Sequence, residues 1–390
     1  MDAMTGEVSS ESKLWRLTFV FAGVGSTFLG PLLPTLETTW QLRDHQAGFL
    51  VSCLFAGSFT GTMLLSPKLR RTLTAGSWSA CIGLLLFAGC MARNPGLPAA
   101  GASLVLMGFG LGQLMSSINL LVGSGDESRR AADLAGIAAA FCVGAILSPG
   151  LTTVFFKFVP IPMRLGAFAL FFLLPVFWIK GKELPAPRRA TPNTDRQSAG
   201  LRRWHPAWSC ILVFLIYGGV EACVGNWLPL FATRYRLGVL GRAQWITSVF
   251  WIGLSSGRFV MSRYFNASRE GQVLRLSLIG SAACLIWLIA FPSPIVLLLA
   301  CGVEGVCLGP IFPLILSSSI GYGLSERSLG VALAACGLGA AVFPALLGLA
   351  ASGWSLRAGM LVPICGLCVL LLLRWQSSSK ALPLSPVPVN

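Results

Sequence analysis

Two carboxylates stand inside long apolar runs of this chain, Glu221 and Glu304. An ionisable side chain near mid-bilayer costs about 2.5–3.5 kcal/mol or more on insertion scales, so each needs a compensating role. It can hydrogen-bond a polar solute, carry an ion, or pair with a buried donor. Tyr217 precedes Glu221 by one helical turn and shares its face. In a regular helix Asn226 and Trp227 lie about 140° and 240° on from Glu221. They join it in one cavity only if Gly225 or Pro229 distorts the turn. Earlier in the chain, Gln113, Ser116 and Asn119 recur every third residue and form one polar arc. Trp251 offers an aromatic platform. Carboxyl and amide groups pair with hydroxyls, and an indole or phenol face packs on the C–H side of a sugar ring. The expected substrate-binding residues are therefore Gln113, Ser116, Asn119, Tyr217, Glu221, Asn226, Trp227 and Trp251, with Glu221 and Glu304 as candidates for ion coupling. Trp227 fits an interfacial anchor equally well. Arg258, near the end of its apolar run, is expected to be structural, snorkelling or bracing a gate. Glu37 closes the first run and is expected to be solvated.

Other chemistry is absent from the sequence. No HExxH, GxSxG, Walker loop or post-strand GxGxxG occurs, and the only histidines are His45 and His205. No cofactor, no metal and no enzymatic activity are expected, and the missing P-loop points away from an ATP-driven pump. All twelve cysteines fall in apolar runs and read as small packing residues. The net charge of +15 comes without a basic face or an aromatic stacking sheet, so nucleic acid is not an expected partner.

The elements that must position these residues are membrane helices. The chain is 55% hydrophobic and 11% charged, which leaves too little polar surface for a soluble protein of 390 residues. Its apolar runs are about the 20 residues needed to cross a bilayer. Twelve are expected, at 14–36, 47–66, 75–92, 99–122, 132–156, 163–180, 207–232, 244–262, 273–291, 295–320, 329–352 and 358–375. A Pro-, Arg- and Ser-rich linker, 181–206, separates six-helix halves at 14–180 and 207–375, flanked by tails 1–13 and 376–390. With the N-terminus inside, the inner segments hold 18 Lys and Arg against 8 outside, so both termini and the linker are expected in the cytoplasm. The segment 1–13 has no basic region or cleavage site of a signal peptide. The halves repeat: Phe21-Ala-Gly-Val-Gly25 aligns with Tyr217-Gly-Gly-Val-Glu221, which sets Gly25 opposite Glu221 at an offset of 196. Gly144-Ala-Ile-Leu-Ser-Pro149 aligns with Gly339-Ala-Ala-Val-Phe-Pro344 at an offset of 195. Two parallel six-helix repeats make the expected fold all-α, with a solute site at mid-membrane between them.

The run Tyr217-Gly-Gly-Val-Glu-Ala-Cys-Val-Gly-Asn-Trp-Leu228 resembles helix 7 of the fucose/glucose–galactose permease branch of the major facilitator superfamily. Gly110-Leu-Gly-Gln-Leu-Met-Ser-Ser-Ile-Asn119 is similar to its helix 4, and Gly257-Arg258-Phe259 and Phe312-Pro313 to its helices 8 and 10. The segment Gly61 to Arg71 keeps the glycine and basic cluster of the superfamily's helix 2–3 loop but lacks its Asp, and helices 1 and 4 lack the acid that proton-coupled members carry. The resemblance implies a monomeric secondary transporter of the inner membrane. It implies movement of a monosaccharide or related small polar solute across that membrane by alternating access, coupled to a proton or sodium ion. Efflux of an amphipathic drug or metabolite on the same fold is the alternative.

Overall fold

A computed structural model describes residues 2–66, 68–94, 96–124, 130–154, 158–180, 204–235, 243–264, 269–321 and 326–379. Among them the chain forms twelve helical rods. In the first half these are α1 (Asp2–Thr27, then Leu29–Trp40), α2 (Asp44–Met63), α3 (Leu69–Arg93) and α4 (Leu97–Gly123). They are followed by α5 (Arg130–Pro149, running on as a π turn at Gly150–Val154) and α6 (Ile161–Ala169, a 3-10 turn, then Leu174–Ile179). The second half holds α7 (Trp204–Arg234), α8 (Ile246–Tyr264), α9 (Glu270–Ala290) and α10 (Pro294–Leu308, then Ile311–Gly321). It ends with α11 (Glu326–Gly353) and α12 (Leu356–Gly359, then Leu361–Ser379). The expected linker lies outside the described residues except for 204–206, which open α7.

Ten of the rods are long and apolar enough to span a membrane; α2 and α8 fall short. The reason is position. α2 packs along α11 and α8 packs on α5, so these two helices line the seams between halves and face protein more than lipid. Polar residues there cost less than they would against hydrocarbon. Breaks in the rods follow proline. Pro149 has no N–H for the Ala145 carbonyl, which takes the Ser148 hydroxyl instead at 2.9 Å. The π turn that follows leaves the Leu151 carbonyl to accept from Arg164 at 3.1 Å.

Glycine sets the packing within each half. A Cβ on Gly23 would lie 2.2 Å from the Phe141 carbonyl oxygen, and one on Gly144 only 1.9 Å from that of Val20, so α1 and α5 touch backbone to backbone. In the second half Gly218 meets the Cys336 carbonyl and Gly339 meets that of Leu215, joining α7 and α11 in the same way. Every member of this quartet is displaced by 195 residues. A second quartet repeats too. Gly57 and Gly61 of α2 lie on Val105 and Phe109 of α4, and Gly253 and Gly257 of α8 lie on Gly302 and Val306 of α10. These contacts correct the register read from the sequence. With Gly23 matched to Gly218, Ser26, not Gly25, stands opposite Glu221, and Gly25 instead packs on Phe172.

Candidate functional site

At the end of the bundle that carries Trp40 and Arg234, the two halves are clamped together. Arg234, the last residue of α7, donates to both oxygens of Asp44 at 2.9 and 2.6 Å and also to Glu37. Glu37 is therefore ion-paired across the halves rather than simply solvated, because the Arg234 fork reaches it. Beside this clamp the His45 backbone N–H donates to Ser352 of α11 at 2.7 Å. Gly30 of α1 sits against Gly225 and Asn226 of α7, where a Cβ would approach the Asn226 Cα to 2.9 Å.

About 20 Å along α7 from Arg234, at about 1.5 Å per residue, stands Glu221. Its carboxylate faces Arg258 of α8 at 3.5 Å. Arg258 reaches in turn to Cys142 of α5, in the other half, at 3.8 Å. The pair thus lies where three helices from both halves meet. Its side chains remain 20% and 28% exposed, so the junction is open to solvent or solute. The Tyr217 hydroxyl is buried beside both charges without a hydrogen bond of normal geometry. Trp251, two turns before Arg258 on one face of α8, packs edge-on against Phe141 of α5 with ring centroids 6.0 Å apart. Its indole N–H is buried and unpaired. Phe312 of α10 lies 5.8 Å from the Tyr217 ring. Between Trp251 and the clamp, Ser248 of α8 donates to the Ile146 carbonyl of α5 at 2.7 Å.

The structure thus brings together Tyr217, Glu221, Trp251 and Arg258. Arg258 is not a residue snorkelling at a helix end; it faces the junction and is Glu221's partner. The other expected residues lie elsewhere. Gln113 is buried against Gly76 of α3 and donates at 3.5 Å to the Leu64 carbonyl at the end of α2. Ser116 donates to Thr62 of α2 at 3.1 Å, and Asn119 is exposed one turn from the end of α4. The polar arc joins α4 to α2 because its first two members point at that neighbour. Asn226 donates back to the Ala222 carbonyl of its own helix at 2.9 Å and packs on α1. Trp227 is fully buried, which removes the interfacial-anchor role. Glu304 is 1% exposed and accepts from Ser281 of α9 at 2.6 Å, so it sits inside the α9–α10 contact rather than at the junction. Phe141, Cys142 and Phe312 line the junction and were not foreseen; a Phe or Cys in an apolar run carries no signal of its direction. No group of three or more potential metal ligands occurs among the described residues.

Comparison with known proteins supports this architecture. The chain is 25% identical over 397 residues to "Bypass of stop codon protein 6" of Saccharomyces cerevisiae, covering 86% of this chain and 76% of that one. Its fold matches a bacterial homologue of the human lysosomal transporter Spinster, solved in an inward-facing and occupied conformation. That match has a TM-score of 0.70 at 14% identity and covers 97% and 99% of the two chains. The Escherichia coli fucose:proton symporter FucP, solved in the outward conformation, matches with a TM-score of 0.60 at 18% identity over 94% and 98%. The Major Facilitator Superfamily profile matches residues 17–321. With twelve helices in two glycine-knit halves and charges gathered at their junction, the chain belongs to the Major Facilitator Superfamily and is a membrane transporter, not an enzyme.

Proposed function

We propose that this transporter moves a monosaccharide or related small polar solute across the inner (plasma) membrane by alternating access, coupled to a cation. The observation that carries the reading is the Glu221–Arg258 pair, held between halves at mid-helix and still partly exposed. A loosely held ion pair in a membrane protein is a costly feature with little structural return. Here it presents donors and an acceptor beside the aromatic faces of Trp251 and Phe141, the combination a sugar requires. FucP, of the same fold, is a sugar:proton symporter, which favours the same class of solute. The excess of Lys and Arg in the loops opposite the clamp supports a cytoplasmic side for both termini and the 181–206 linker. The clamped end then faces outward, and the state described is closed to the outside.

Glu221→Gln keeps shape and hydrogen bonding but cannot ionise. In proteoliposomes it is expected to exchange labelled sugar across the membrane yet fail to accumulate it against a gradient. Unimpaired accumulation would remove Glu221 as the coupling group and transfer that role to Glu304 or a sodium site.

A further inference from the structure

Resting on the reading above, we propose that the solute carries a carboxylate: a sugar acid of the hexuronate or aldonate type, bound by Arg258 with Tyr217 and Trp251 as further donors. The donor inventory leads there. A guanidinium has five N–H groups in a planar fork and no acceptor. Around Arg258 the contacts are long: Glu221 at 3.5 Å and the Cys142 sulfur at 3.8 Å. Its Nε is buried without a partner. Charge-assisted N–H···O bonds ordinarily span about 2.7–2.9 Å, so the fork is Coulombically balanced but makes no short charge-assisted bond, only the long one to sulfur. The Trp251 indole N–H is also buried and unpaired, and the Tyr217 hydroxyl lies beside both charges without a hydrogen bond of normal geometry. The Arg258 Nε–H and the Trp251 indole N–H thus present free donors, with the Tyr217 hydroxyl beside them, and among the described residues at the junction the acid is Glu221.

A neutral sugar brings donors of its own with every hydroxyl. A carboxylate brings up to four acceptor positions and no donor, in the geometry a guanidinium fork accepts bidentately. Trp251, Phe141 and Phe312 remain for the apolar face of the ring. The charge balance also closes. The pair is neutral as it stands. A carboxylate on Arg258 leaves the negative charge of Glu221 uncompensated, and one cation taken up at Glu221 restores neutrality, so anion and cation cross together, one for one.

The test uses the purified full chain in detergent with D-glucuronate and D-glucose, read by thermal unfolding and by titration of intrinsic tryptophan fluorescence. Glucuronate is expected to raise the unfolding midpoint and to bind about tenfold more tightly than glucose or better. Arg258→Lys, which keeps the charge but loses the fork, is expected to cost about tenfold in glucuronate affinity and distinctly less in glucose affinity. Glu221→Gln removes the competing carboxylate and is expected to bind glucuronate at least as tightly as the wild type. Glucose binding as tight as glucuronate, with Arg258→Lys indifferent to both, would overturn the carboxylate and leave the monosaccharide reading standing. Binding of neither sugar would overturn the monosaccharide reading itself. If Arg258→Lys fails to fold, the wild-type comparison and Glu221→Gln decide.

Discussion

Thr62 in the first half and Arg258 in the second occupy equivalent places, each one residue past a glycine, Gly61 or Gly257, that seats its helix on the neighbouring backbone. Thr62 accepts a hydrogen bond from Ser116 at 3.1 Å and its business ends inside its own half. Arg258 reaches out of its half to Glu221 and Cys142. By the register of Gly23 and Gly218, Ala22 and Ser26 of α1 stand where α7 carries Tyr217 and Glu221. The skeleton is repeated and the chemistry is not. Positions where backbones touch admit one residue type, so they match between repeats. Positions facing the junction are free to differ, and among the described residues the charge there belongs to the second half.

The sameness is the easier part to break. Gly144→Ala and Gly339→Ala each push a methyl to within 2 Å of a carbonyl oxygen, that of Val20 and of Leu215. Each is expected to cost about 3 kcal/mol and to deplete folded protein to a similar degree, measured as monodisperse yield and unfolding midpoint in detergent. A large disparity between the two would mean that the halves are not held alike.

The difference is sharpened by the polar positions. Glu221→Ala leaves Arg258 uncompensated and is expected to destabilise by about 2 kcal/mol, reduced from the fully buried figure because the pair is partly exposed. The double variant Glu221→Ala with Arg258→Ala is expected to recover most of that. Ser26→Ala and Thr62→Val, the equivalents in the first half, are expected to cost under about 1 kcal/mol each. Denaturant unfolding of the four variants checks the ranking.

The smallest effect concerns the clamp, which joins the halves instead of distinguishing them. Arg234→Gln loses the fork to Asp44 and the contact to Glu37 and is expected to favour opening at that end by about 1 kcal/mol. A single cysteine replacing Asn226, in a background without native cysteines, is then expected to label about fivefold faster from the clamped side. An unchanged rate would mean that the Gly30 contact holds the end shut unaided.

The family and the twelve-helix fold were legible because length, apolarity and the half-chain repeat are properties of the sequence alone. α2 and α8 read as spans at 47–66 and 244–262 from length and apolarity, although they are the least apolar of the twelve. The site was legible only in part. Helical spacing joined Tyr217 to Glu221 rightly, since one turn on one helix is local. The Glu221–Arg258 pair was not, because it depends on how two helices face each other. The arc of Gln113, Ser116 and Asn119 shows the converse: its spacing was read correctly, but periodicity says which residues share a face and not what the face meets. The one-residue slip at Glu221 had the same origin. A short repeat aligns almost as well in either register, and the contacts of Gly23 and Gly218 decide it.

Gly48 of α2 and Gly348 of α11 face each other across the halves, each with the other's Cα about where its own Cβ would begin to crowd, at 3.3 and 3.2 Å. Most helix surfaces mesh like gears, ridge into groove, and turn only by lifting out of mesh. At this point the teeth are missing. The seam acts as a plain bearing: two smooth cylinders in contact, able to roll through a small angle as the His45–Ser352 bond one turn away slips. Its place next to the Arg234 clamp puts the latch beside the axle, where a short throw at the latch becomes a wide swing at the far end of the rods.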